Sequence, residues 1–101
     1  MNEGSEESIQ REDFEINFDL ACKYVKNNAQ EKLNEDQILK LYGLYKLAKF
    51  GKCDTECPTF LFYRRQKMWS AWNSMSQKDI KNPMKMYVDY LSEQVPEWKS
   101  E

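Results

Sequence analysis

Histidine is absent from this 101-residue chain, and with it goes the side chain that most often moves protons near neutral pH. No cysteine therefore has an imidazole to activate it as a nucleophile. The three cysteines, Cys22, Cys53 and Cys57, are too few for a four-ligand zinc site without histidine. Their odd number does not close into a full disulfide set and fits a reducing compartment. Ordinary loop cysteines are the better account of Cys53 and Cys57. The three glycines, Gly4, Gly43 and Gly51, are too scattered to form a phosphate-cradling loop. Apolar runs stay far below the ~18 residues of a membrane span, and the acidic stretch from Met1 to Glu15 lacks the pattern of a secretory leader. Carboxylates are plentiful, but nothing singles out a hydrolytic pair. The expectation is a cytoplasmic, non-enzymatic protein without metal or cofactor.

What is present is enough for one compact domain. Apolar residues make up 41% and aromatic residues 14% of the chain, and each large ring brings much buried area to a small core. The net charge of -2 is unevenly spread. Residues 1–21 hold seven acids and one base, whereas residues 40–67 hold seven bases and two acids. A locally basic middle in a near-neutral protein suits a compact anion. A nucleic-acid binder would usually be basic overall. A merely solvated charged surface is the alternative that charge alone leaves open.

Periodicity predicts four helices and no strand pair, hence an all-α bundle. Residues 1–13 are polar and acidic and read as a flexible tail. A first helix from Phe14 places Phe18, Ala21, Cys22 and Val25 at helical spacing and should stop near Asn27-Asn28. Asn34, with Gln37 three residues later and acids between, forms a capping-box pattern for the second helix. That helix carries Ile38, Leu41, Leu44, Tyr45 and Ala48 and should end at Gly51. Residues 51–63 lack a helical period, and their Phe60-Leu61-Phe62-Tyr63 run is apolar enough to be expected to pack back on the helices. A third helix spans Arg64–Met75. A fourth is capped by Asp79 or Asn82 with Pro83 in its first turn, and its stripe of Ile80, Met84, Tyr87, Leu91 and Val95 runs to about Trp98. Residues 99–101 are read as a short C-terminal tail.

One helix face carries candidate chemistry. Tyr42, Tyr45, Lys46 and Lys49 recur at i, i+3, i+4 and i+7 along the second helix and share a side. Rings of this kind stack on a base, phenols donate to phosphate, and lysines add point charge. On spacing alone, packed tyrosines with solvated lysines are the commoner outcome. The same division applies to the third helix. Trp69 and Trp72 read as core anchors, and Arg64 reads either as a phosphate fork or as ordinary surface. Tyr87 sits in an apolar stripe, packed in the core or reaching into a groove.

In order and separation, FDLACKYVK (18–26), LYGLYKLAKFG (41–51), TECP (55–58), KMWSAWN (67–73) and MKMYVDYL (84–91) resemble the acyl-CoA-binding protein family from about Phe14 to Trp98. The resemblance implies a four-helix bundle over residues 14–98, with the second helix parallel to the third and the others antiparallel. It implies an intracellular carrier and buffer of long-chain acyl-CoA that leaves its ligand unchanged. The charge balance argues against a nucleic-acid partner, and a charged exterior with no obvious apolar patch leads us to expect a monomer. The head-group residues it implies are Lys26, Tyr42, Tyr45, Lys46, Arg64 and Tyr87, and the acyl path passes Cys22, Ile38 and Leu39. Tyr42, Lys46 and Tyr87 are expected to share one cleft.

The chain departs from the family pattern at two positions. Met68 stands where the family usually has lysine, just before the first tryptophan of the W-x-x-W pair. Leu47 replaces a family glutamine. Lys67 lies about 100° away around a 3.6-residue helix, and Arg64 lies one turn back on nearly the same face. Arg64, with Lys67, is the expected substitute for the lost charge. Two other readings remain: a module that uses its basic face to dock on an acidic protein or membrane surface, and an enzyme or the targeting domain of one.

Overall fold

A computed structural model describes the backbone of residues 3–100 and the side chains of residues 13–100. Its elements are α1 (Glu3–Lys32), α2 (Glu35–Phe50), α3 (Tyr63–Ser76) and α4 (Pro83–Gln94), followed by a 3-10 turn at Trp98–Ser100. Among the described residues there is no strand, and the all-α four-helix architecture expected from periodicity is the one observed.

Local chemistry sets the helix ends. Asn34 and Gln37 exchange reciprocal backbone bonds of 2.8 Å, the capping box that opens α2. Gly51 closes α2 at φ 80°, ψ -159°, with its N–H bonded to the Leu47 carbonyl, a conformation that suits glycine. Asn82 accepts from the Lys85 N–H at 3.2 Å, and Pro83 opens α4 where no amide is missed.

Three expectations change. Helical backbone begins at Glu3, not Phe14, so residues 3–13 of the expected tail are helical, while the first two residues lie outside the described range. At the other end, α1 runs through Asn27-Asn28 to Lys32. There the Asn28 amide donates to the Tyr24 carbonyl one turn back (3.0 Å) rather than diverting the backbone. Finally, α4 ends at Gln94 instead of reaching Trp98. Pro96 disfavours helical geometry at Val95, which sits at φ -133°, ψ 80°. Trp98 then folds back, buried beside Tyr24, with its indole N–H on the Ser92 hydroxyl at 2.9 Å.

Cross-helix contacts give the directions. Lys67 meets Glu35 near the starts of α3 and α2, and the Cys53 N–H meets Ser76 beyond the end of α2 and at the end of α3. These two helices run parallel, as expected. The pairs Gln37 with Gln94 and Lys40 with Tyr90 make α2 and α4 antiparallel. Phe18 opposite Tyr87, and Lys32 paired with Glu97, set α1 parallel to α4. The expectation that every other pair is antiparallel is therefore corrected for α1 and α4. The core gathers Phe18, Ala21, Leu41, Leu44, Tyr87 and Leu91, all buried. Buried Gly43 lets α2 approach the Ala71 carbonyl of α3.

The connection between α2 and α3 also departs from expectation. Phe60 and Leu61 do not pack back on the bundle: they are 79% and 76% exposed. The segment is tied down through polar groups instead. Trp69 donates to the Thr55 carbonyl (2.9 Å), Gln66 to the Pro58 carbonyl (2.8 Å) and the Cys53 N–H to Ser76 (2.7 Å). Side chains of α3 satisfy the loop backbone, so its apolar run is not required for anchoring.

Candidate functional site

The parallel α2 and α3, with the α1–α2 corner, enclose a cleft of about 470 Å³. Leu33, Ile38, Leu39 and Met68 form its apolar lining, Tyr42 supplies a ring, and Arg64 and Lys67 supply cations. Gln30 and Glu35 complete it. Five of the residues expected at the head group or acyl path, together with Met68, thus meet at one opening: Ile38, Leu39, Tyr42, Arg64 and Lys67.

The two cations differ in their surroundings. The Lys67 ammonium lies 3.1 Å from the Glu35 carboxylate and 4.8 Å from the Tyr63 ring centre. Its hydrogen bonds to Tyr63 and Glu35 hold its pKa above the usual lysine value. Lys67 therefore enters the cleft with its charge already matched. Arg64 is exposed, and no described acid pairs with it. The Tyr42 phenol is pushed above its usual pKa first by burial, then by Cys53 and Tyr45. It is a hydrogen-bond donor at neutral pH.

A second group lies across the core. The Phe18 ring stacks on Tyr45 at 6.2 Å and meets Tyr87 edge-on at 5.2 Å. Tyr87 and Cys22 act on one another's ionisation. Burial raises both pKa values, and for Cys22 the neighbouring Tyr87 partly offsets that rise. Tyr45 acts on the ionisation of both Tyr42 and Tyr87, so it links the cleft to this aromatic cluster.

Lys46 lies one turn beyond Tyr42 on α2. Its ammonium sits 4.2 Å from the Phe50 ring centre and 4.6 Å from that of Trp72. Two aromatic faces hold this cation without neutralising it. Lys26 is exposed on α1, one turn before the cleft-lining Gln30. Tyr42, Lys46 and Tyr87, expected together in one cleft, thus occupy three neighbouring settings: the cleft, the Phe50–Trp72 side and the Cys22 cluster. Tyr42 and Lys46, an i+4 pair, differ by about 40° around α2, and Tyr87 comes from α4, against Phe18.

Sequence reasoning missed Gln30, Leu33 and Glu35 as lining residues, and Phe18 as the ring that joins Tyr45 to Tyr87. Leu33 had a signal, a lone apolar residue beside the Asn34 cap. Glu35 read only as a first-turn acid, because its pairing with Lys67 spans two helices. Chemically, the arrangement suits an elongated amphiphile with an anionic end: an apolar strip, stacking rings, and cations at the rim.

The family model described as "Acyl CoA binding protein" matches residues 15–91. Acyl-CoA-binding domain-containing protein 6 of Xenopus laevis is 33% identical over 87 residues, covering 86% of this chain and 30% of that protein. Acyl-CoA-binding domain-containing protein 1 of Arabidopsis thaliana is 27% identical over 96 residues, covering 91% of this chain and 28% of that protein. The chain thus spans about a third of the length of these curated relatives. The crystal structure of Oryza sativa Acyl-CoA-Binding Protein 2 superposes with a TM-score of 0.68 at 21% identity, over 86% of this chain and 96% of that one. That likeness speaks for the fold.

Proposed function

This chain belongs to the acyl-CoA-binding protein family, and on that premise we propose that it binds long-chain acyl-CoA as an intracellular carrier and buffer, without chemical turnover. The observation that carries the reading is the α2–α3 cleft, where an apolar strip of Ile38, Leu39 and Met68 adjoins Tyr42 and the unpaired Arg64. The strip suits a hydrocarbon chain, and burial there contributes about 0.8 kcal/mol per methylene removed from water. Arg64 and Lys46 suit the phosphates, and Tyr42 and Tyr45 suit the nucleotide head. Lys26, Tyr87 and Cys22 border the same ligand on the α1 and α4 side. Lys67 serves as a positioning cation bound to Glu35, and Arg64 takes the charge that Met68 does not supply. Ordering and desolvation costs reduce the chain-length gain, so affinity rises with acyl length and then levels off. The protein acts as a monomer, or as the ligand-holding module of a longer protein.

Calorimetry with palmitoyl-CoA, CoA and palmitate tests the proposal. Tight binding of the first, with far weaker binding of the other two, is the expected result. Equal weak binding of all three refutes it.

A further inference from the structure

The connection between α2 and α3 ends in a turn in which the Phe62 N–H bonds to the Thr59 carbonyl at 2.9 Å. Phe60 and Leu61 occupy its two central positions and are the most exposed large apolar residues described. Phe62 and Tyr63 follow, half-exposed or more. Exposing contiguous apolar surface of this kind is costly in water and marks a contact site. The turn is held rather than loose, because Gln66 bonds to the Pro58 carbonyl at 2.8 Å and the Gln66 N–H to the Phe62 carbonyl at 2.9 Å.

The charges around the tip are mostly of one sign. Between residues 57 and 67 stand Arg64, Arg65 and Lys67 and no acid, with Lys67 paired to Glu35 of α2. Arg65 lies 5.2 Å from the Phe62 ring centre, so a cation flanks the apolar tip directly. Arg64 and Arg65 are exposed, and no described acid pairs with either. Aromatic and aliphatic side chains on a protruding turn, beside two exposed arginines, match the chemistry of a bilayer interface with anionic headgroups. A protein partner of the same charge would call for a shaped recess to receive; a convex two-residue tip offers none.

We propose that the Phe60–Leu61 tip and its flanking Arg64 and Arg65 dock this protein reversibly on membranes rich in anionic lipid. The tip enters the acyl region shallowly while the cations meet headgroups. Arg64, which opens α3 just after the tip, also lines the α2–α3 cleft, so docking places the cleft mouth at the lipid surface. The docking itself needs no bound acyl-CoA.

The test is co-sedimentation of ligand-free protein with vesicles of phosphatidylcholine, with and without phosphatidylserine. Binding is expected only with phosphatidylserine, weakening as salt rises. Phe60→Ser/Leu61→Ser should lower the affinity at least about tenfold, and Arg65→Gln about fivefold. Both variants should keep wild-type circular dichroism, since these side chains are exposed, and wild-type palmitoyl-CoA affinity. The proposal is overturned by absent binding, by equal binding to both vesicle types, or by vesicle binding that the double variant leaves unchanged. Self-association in sedimentation equilibrium that the double variant abolishes also overturns it, since the tip would then be a seam between copies. Loss of palmitoyl-CoA binding in wild type, with vesicle binding intact, would count against the ligand reading alone.

Discussion

Gly43→Ala isolates how closely α2 must approach α3. A Cβ built on Gly43 lies 2.5 Å from the Ala71 carbonyl oxygen, 2.9 Å from its carbon and 2.8 Å from Met75 Cγ. Met75 can swing aside, but the Ala71 carbonyl belongs to the backbone of α3 and moves only with the helix. Two effects oppose one another. Alanine is the better helix former by about 0.8–1 kcal/mol, whereas overpacking a fitted interface costs about 1–3 kcal/mol. With a backbone atom at 2.5 Å, the upper part of that range applies, leaving a net loss of about 1–2 kcal/mol. In a domain of this size that lowers Tm by roughly 5–15 °C. Gly51→Ala makes a useful contrast. Nothing lies within 4 Å of its Cβ, and its cost is conformational, of order 1–3 kcal/mol for a side chain at that φ and ψ. Urea unfolding followed by circular dichroism measures both. Palmitoyl-CoA binding separates them, because only the Gly43 wedge spreads the seam that forms the cleft. A Gly43→Ala protein as stable as wild type would mean that the two helices are not in backbone contact.

Lys46→Ala should weaken palmitoyl-CoA binding by about 10–100-fold, the loss of a charged hydrogen bond. Lys40→Ala should not, since Lys40 sits 4.5 Å over Tyr90 on the α4 side; calorimetry showing equal losses would misplace the head site. Arg64→Ala should cost more affinity than Lys67→Ala, whose charge Glu35 already balances, and Met68→Lys should tighten binding. The reverse order would make Lys67 the compensating cation. Alkaline pH should also destabilise the fold. Tyr87 and Cys22 have folded pKa values raised by burial, so the native state holds protons that the unfolded chain releases. Their contribution is full below the unfolded values, about 10 for Tyr87 and about 9 for Cys22, and is lost as pH climbs from there toward the raised folded values. Tm measured from pH 8 to 11 should fall, and Tyr87→Phe should flatten that fall; an unchanged slope in the variant would show that Tyr87 does not carry it.

The legible parts of this fold were those set by local chemistry. The capping box at Asn34, the glycine stop at Gly51 and the Asn82-Pro83 start each act within a few residues, and each is found in place. The apolar period similarly marked Phe18, Leu41, Leu44, Tyr87 and Leu91, all buried. Errors fell where a distant partner or a missed breaker decided. Pro96 ends α4 at Gln94, short of the Trp98 to which the apolar stripe alone points. Asn27-Asn28 read as a stop, although Asn28 could bond back along its own helix. The Phe60–Tyr63 run read as buried because apolar residues usually are; only the polar ties from Trp69 and Gln66 reveal that the loop stays anchored without it. The cleft was half legible. Residues on one helix face could be grouped by spacing, but Glu35 opposite Lys67 required knowing that α2 and α3 run parallel.

That parallel pairing has a consequence for the departure at Met68. In a parallel pair, residues at the starts of both helices meet, so Glu35 near the start of α2 reaches Lys67 in the second turn of α3. A lysine in place of Met68 would enter a cleft already lined by Lys67 and Arg64, three cations against one carboxylate. Without an anionic ligand that arrangement is repulsive. Methionine instead extends the apolar strip formed with Ile38 and Leu39, leaving Arg64 at its rim as a cation that no described acid matches. The exchange shifts recognition from charge toward hydrocarbon. It follows that affinity should depend more steeply on acyl length, and less steeply on salt, in this protein than in its Met68→Lys variant. Titrations of both proteins with octanoyl-CoA and palmitoyl-CoA at two salt concentrations decide the matter, and parallel salt slopes for the two would remove the argument.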